Sequence, residues 1–162
     1  MDVQHTNVNL IKTSDNNEQQ IRQLLSEFRE AAMARDIDKV MSFYSPEVIA
    51  FDIVPPLQFK GREAYRKSWE EAFNSCKDDP ANINETIELR VTVNDDLAFC
   101  HAINHNVMVS NEGKKMEMWM RSTHCLQKIN DKWLITHEQF SVPVDFENQK
   151  PLFDLKPETN LH

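Results

Sequence analysis

A chain of 162 residues, 40% apolar and with only two glycines, can bury one sizeable core and is neither fibrous nor low-complexity. Its formal net charge of −8, with no basic run, argues against nucleic acid and anionic membranes as partners, since both need concentrated Lys and Arg. No apolar stretch approaches the roughly 20 residues that cross a bilayer. The start of the chain also lacks the basic and apolar regions of a signal peptide, so the expected compartment is the cytoplasm.

Residues 1–13 show no periodicity and are expected to form a flexible arm. Asp15 followed by Glu18 resembles a capping box. After it, Ile21, Leu24, Leu25, Phe28 and Ala32 recur at helical spacing, which predicts a helix to about Arg35. Asp36 is placed to cap a second, shorter helix carrying Ile37, Val40, Met41 and Tyr44, ended by Pro46. Val48 to Ile53 reads as a short buried strand broken by Pro55-Pro56. Gly61 precedes a third helix with Tyr65, Trp69, Ala72, Phe73 and Cys76 on one face, closed by Asp78-Asp79-Pro80.

The period then changes from 3.6 to 2. Ile87, Leu89, Val91 and Val93 alternate with polar neighbours. Leu97 to Val109, Lys115 to Ile129 and Lys132 to Val142 read as long strands joined by tight turns, with Pro143 stopping the last. Residues 146–162 are expected to form an irregular tail. Helices first and a strand meander afterwards predict a single α+β domain over residues 14–145: three N-terminal helices packed on a strongly curved antiparallel sheet, with a central pocket. Cys76, Cys100 and Cys125 are odd in number, widely spaced and form no C-x-x-C pair, so they read as reduced thiols.

The alternation also sorts the polar residues into faces. His101 and His105 share the Phe99-Ile103 side of their strand. Four strand residues span about 13 Å, too far for two ligands of one ion, so no metal is expected there. Trp119, Arg121 and Thr123 form one face of the next strand. An arginine among apolar residues holds a substrate anion or salt-bridges Asp52 or Glu138. Trp133, Ile135, His137, Gln139 and Ser141 share a face of the last strand. Leu134, Thr136, Glu138 and Phe140 form the other, which suits a sheet-to-sheet homodimer. Tyr44, Trp69 and Phe73 read as core or pocket wall. Met116, Met118 and Met120 read as adaptable packing.

Several segments together resemble the SnoaL-like, ketosteroid-isomerase-like proteins of the nuclear transport factor two-like superfamily. They are Phe43-Tyr44 before Val48-Ile49, Lys60-Gly61-Arg62, Asp96 to His101, Met118 to Thr123, and Lys132 to Pro143. The resemblance covers about residues 15–145. It implies a cone-like fold and a pocket for a partly apolar carbonyl compound. It also implies isomerase, dehydratase or cyclase-like acid–base chemistry without metal or organic cofactor, or else a non-catalytic ligand-binding or oligomerisation module. Asp52 is similar in position to the family's general base, and its apolar setting (Ala50-Phe51-Asp52-Ile53-Val54) suits a raised pKa. The expected site thus has Asp52, His101 and Arg121 as catalytic groups, with Tyr44, Trp69, Phe73, Trp119, His137 and Gln139 binding a small-molecule ligand. Gln139 stands where the family tends to have a second His.

Overall fold

The structure, a computed structural model, describes residues 6–158. Helix α1 (Thr6–Met33) buries Ile21, Leu25, Phe28 and Ala32 at helical spacing, while Arg22 and Glu18 pair at 2.8 Å on its solvent side. The helix begins at Thr6, so Asp15 lies inside it rather than capping it, and residues 6–13 of the expected arm are helical. Residues 1–5 of that arm, and 159–162 of the tail, lie outside the described residues. Arg35, in the left-handed region at φ 57°, breaks α1 from α2 (Ile37–Met41). Its guanidinium donates to Cys76 O at 2.9 Å and to Phe73 O, satisfying carbonyls left open at the end of α3 (Arg62–Ser75). Asp36 caps α2 as expected, accepting from Lys39 N at 3.0 Å.

The chain turns into β1 (Tyr44–Phe51) earlier than expected, which moves Tyr44 from a helix onto a strand. β2 (Phe59–Lys60) pairs back on β1, and α3 follows from Gly61. The long strands are β3 (Ile83–Asn94), β4 (Leu97–Val109), β5 (Lys115–Ile129) and β6 (Lys132–Ser141). They give a sheet of order β2-β1-β6-β5-β4-β3, antiparallel except that β1 runs parallel to β6. The tail forms a small hairpin of β7 (Val144–Asp145) and β8 (Lys150–Pro151). Beyond it, Phe153 O accepts from Trp119 N at 2.8 Å, so the tail pairs with part of β5 that extends past the end of β6.

Two irregularities decide which side chains face the helices. Opposite Ala102, between the pairs Ile87↔Ile103 and Arg90↔His101, β3 carries the extra residue of a bulge, with Glu88 at φ 56°. The bulge puts Leu89, Val91 and Val93 on the core while Ile87 pairs with the outward-facing Ile103. On β6, Ile135 pairs with Leu126 but His137 pairs with Cys125, leaving Thr136 as the extra residue. Its hydroxyl donates to Cys125 O at 3.2 Å. Trp133 and Ile135 therefore face inward before the bulge, and Glu138 faces inward after it.

Gly61 joins β2 to α3 at φ 84° and ψ 152°, a region that only glycine enters without strain. Its N–H donates to Val48 O at 2.8 Å and its carbonyl accepts from Tyr65 N at 3.2 Å, so its geometry fixes where Tyr65 enters the core. A Cβ there would meet Pro46 O only at ordinary contact distance, 3.6 Å, so conformation rather than space sets the cost of substitution. Gly61→Ala is expected to destabilise the fold by about 1–3 kcal/mol in denaturant unfolding.

Candidate functional site

The inward row across the sheet runs through register neighbours Cys100, His124, Glu138 and Ala50 on β4, β5, β6 and β1. Small residues on β4 (Ala98, Cys100, Ala102) leave room above this row for the aromatic side chains of β1 and α3. Glu138 lies at its centre with 0% of its surface exposed. The Tyr44 hydroxyl lies 3.0 Å from each of its carboxylate oxygens. The Tyr65 hydroxyl lies 2.6 Å from Oε1, and His124 Nε2 lies 3.0 Å from Oε2. The rings of Tyr44 and Tyr65 meet edge-on at 5.3 Å, which locks both hydroxyls onto the carboxylate.

The same Tyr65 hydroxyl reaches Asp52 Oδ2 at 3.0 Å. Asp52 follows β1 on the inward side, and its Oδ1 accepts from Ile53 N at 2.6 Å. It is half-buried, whereas Tyr44, Tyr65, His124 and Glu138 are all buried. The network is therefore a chain, His124–Glu138–Tyr65–Asp52, whose only end near solvent is Asp52.

Burial, and then the charge of Glu138, raise the Asp52 carboxyl above its usual 3.8. The same two causes hold the Tyr44 and Tyr65 phenols protonated well above 10.0. For His124, burial acts against the charged form. Hydrogen bonds to Cys100 and Glu138, together with the Glu138 charge, outweigh it and raise the imidazole from 6.5 to about 10. The inner face carries a second polar cluster further along the strands. There Asn104 donates to Ser122 Oγ at 2.7 Å and Thr86 donates to Asn104 Oδ1 at 3.3 Å.

The expected convergence of Asp52, His101 and Arg121 does not form. His101 and Arg121 are exposed on the outer face of the sheet, because the inward parity of β4 and β5 is Ala98–Cys100–Ala102 and Ser122–His124–Leu126. Arg121 donates to Ser141 Oγ at 3.2 Å, not to Asp52 or Glu138. Trp119 stacks on His105 at 4.4 Å on that outer face, where His105 lies between Glu85 and Glu117. The bulge at Thr136 places His137 and Gln139 on the outer face as well. His137 Nδ1 contacts Ile49 O at 2.8 Å and the His137 ring meets Phe51 edge-on, while Gln139 is exposed. Glu138 and Phe140 accordingly leave the outward set in which alternation alone put them.

Tyr44 does join Asp52 through the network. Trp69 and Phe73 pack against the core, with Trp69 5.7 Å from Phe28 and 6.2 Å from Tyr65 between ring centroids. Three members were missed as site residues: Tyr65, His124 and Glu138. A cleft of about 420 Å³ lies elsewhere, lined by Arg22 of α1 and Glu88, Leu89, Arg90 and Val91 of β3, and no network residue lines it. Among the described residues no group of three or more His, Cys, Asp or Glu side chains is placed to hold a metal ion, and no helix is long and apolar enough to cross a membrane.

A group whose folded pKa is raised stabilises fully below its unfolded pKa, and that stability is lost as pH rises through the folded value. For His124 the window runs from 6.5 to about 10, and the raised Asp52 has the same sign at lower pH. Unfolding free energy measured by denaturant titration is therefore expected to fall as pH rises from about 6.5 to 10. His124→Gln is expected to flatten that slope.

An NTF2-like protein of unknown function from Pseudomonas putida KT2440 is 35% identical, with a TM-score of 0.80 over 89% of this chain and 99% of that one. An NTF2-like protein with a cystatin-like fold from Novosphingobium aromaticivorans is 13% identical and superposes with a TM-score of 0.69 over 85% and 89% of the two chains. A ketosteroid isomerase-like protein from Erwinia carotovora atroseptica SCRI1043 is 16% identical, with a TM-score of 0.65 over 75% and 92%. No functionally curated protein matches significantly. Residues 21–145, most of the chain, match the SnoaL-like domain, and the protein belongs to that family within the NTF2-like superfamily.

Proposed function

We propose that the protein is an acid–base enzyme acting on a small, partly apolar carbonyl compound in an isomerase, dehydratase or cyclase-like step, with Asp52 as the group that exchanges a proton with the substrate. The observation that carries this reading is the chain from buried Glu138 through Tyr65 to half-buried Asp52. It provides a carboxyl group with a raised pKa at a boundary with solvent, backed by a hydroxyl relay. Tyr44 and His124 act behind it by holding Glu138 in place. His101 and Arg121 have no part in this mechanism.

A second reading, a non-catalytic ligand-binding or oligomerisation module, is favoured by one feature. Both Glu138 oxygens and both Asp52 oxygens are paired within the protein. A thermal-shift screen against steroids, small polyketide-like acids and aromatic carbonyl compounds, followed by turnover assays on the hits, separates the two. Under the enzyme reading, Asp52→Asn lowers turnover about 100-fold or more while binding survives. A variant that retains full turnover on an identified substrate sinks the mechanism.

Sheet-to-sheet homodimerisation is proposed with the outer-face set corrected for the bulge. Leu97 and Phe99 of β4 are 61% and 48% exposed there, and Phe51 of β1 is exposed beside His137. Phe99→Glu is expected to convert a dimer into a monomer in light-scattering chromatography without loss of helical or strand signal.

A further inference from the structure

The hydrogens of the buried network do not balance if both carboxyl groups are ionised. The Tyr65 oxygen lies 2.6 Å from Glu138 Oε1 and 3.0 Å from Asp52 Oδ2. A phenol carries one hydrogen, so it donates to only one of them. The other contact places two oxygens at hydrogen-bond distance, and it is attractive only if that carboxyl group supplies a hydrogen of its own.

Glu138 is the better anion of the two. Three groups converge on it, the Tyr44 and Tyr65 hydroxyls and His124 Nε2, and all three serve it as donors. The 2.6 Å contact from Tyr65 is also the length of an O–H···O⁻ bond. Protonating Glu138 instead would remove the anion that His124 Nε2 and the Tyr44 hydroxyl both face. Among the described residues no cation pairs with Asp52: its carboxyl group faces the backbone N–H groups of Ile53 and Val54 and the Tyr65 hydroxyl. Among the described residues, the charged or titratable groups facing Glu138 are Tyr44, Tyr65, His124 with its register neighbour Cys100, and Asp52 through Tyr65.

We propose that Asp52 and Glu138 hold one proton between them through the Tyr65 hydroxyl, and that in the resting protein at neutral pH this proton resides on Asp52 Oδ2. Asp52 donates to the Tyr65 oxygen, Tyr65 donates to ionised Glu138, and protonated His124 balances the Glu138 charge. The half-buried end of the network is then loaded as an acid. It suits a ligand presenting a neutral acceptor oxygen, a carbonyl or hydroxyl, rather than a cation. On transfer, the Asp52 O–H bond breaks and an O–H bond to the ligand oxygen forms. The Tyr65 hydrogen turns from Glu138 to the new Asp52 carboxylate, while Glu138 keeps Tyr44 and His124. No redox change occurs.

The assignment of the ligand rests on the proposed acid–base function, but the location of the proton does not, so the two can fail separately. Carbon-detected NMR titration of side-chain carboxyls in the full chain reads the proton without any ligand, with Asp52→Asn and Glu138→Gln assigning the signals. The expected result is a protonated Asp52 and an ionised Glu138 at pH 7. An ionised Asp52 at pH 7 overturns the proposal. Tyr65→Phe supplies a test of sign. Removing a hydroxyl that accepts from Asp52 lowers the Asp52 midpoint, by about one pH unit, whereas removing one that donates to it raises the midpoint. An unchanged or raised midpoint overturns the proposal. If Tyr65→Phe does not fold, the wild-type titration and the unfolding midpoints decide. Asp52→Asn, which keeps a donor toward Tyr65, is expected to retain the wild-type denaturation midpoint, and Glu138→Gln to lower it. A Glu138→Gln midpoint at or above that of Asp52→Asn counts against the proposal.

Discussion

The carboxylate of Glu138, with none of its surface exposed, constrains much of the surrounding structure. An ion withdrawn from water costs several kcal/mol even after relaxation. A hydrogen bond to a charged group returns about 1.5–3 kcal/mol, so one donor does not offset that cost and three do. Tyr44, Tyr65 and His124 supply them from β1, α3 and β5. Helix α3 must therefore sit where the Tyr65 hydroxyl reaches the sheet, which the tight geometry at Gly61 secures. β1 must pair with β6 so that Tyr44 and Glu138 meet. The parallel pairing of β1 and β6 thus serves the site as well as the sheet.

Much of the architecture is legible from hydrophobic period alone. The bounds of β4 and β5, the Asp36 cap and the helix after Gly61 follow from alternation, turn residues and capping chemistry. The site was harder to read for a definite reason. Alternation carries parity only until a bulge intervenes, and the bulge at Thr136 lies two residues before Glu138. Ile135 and Glu138 face the same way although their numbers have opposite parity. The β3 bulge separates Ile87 from Leu89 in the same manner.

On β4 a different signal misleads. Hydrophobicity favours burying Phe99 and Ile103, yet the inward residues are the small ones, Ala98, Cys100 and Ala102. Side-chain volume explains this better than polarity. Where helices and aromatic rings lie close over a sheet, small residues fill the limited space, and larger ones go to the other face. A strand alternating small with large residues then carries a different message from one alternating apolar with polar. Together with His124 on the neighbouring strand, the row Ala98–Cys100–Ala102–Asn104 was the available clue to the inward face.

The separation of faces also divides the histidines by task. His105 and His137 are engaged on the outer face with Trp119 and Phe51, and His101 is exposed there. Among the described histidines, His124 alone contacts a buried carboxylate. The imidazole that joins the buried network is thus found by what lies across the sheet from it. Gln139, where the resemblance leads to the expectation of a second His, faces outward and pairs with Thr123, and it takes no part in the hydrogen bonding of Glu138, Tyr65 and Asp52. Position 139 thus lies on the outer face of the sheet, and the hydrogen bonds of the buried network close without it.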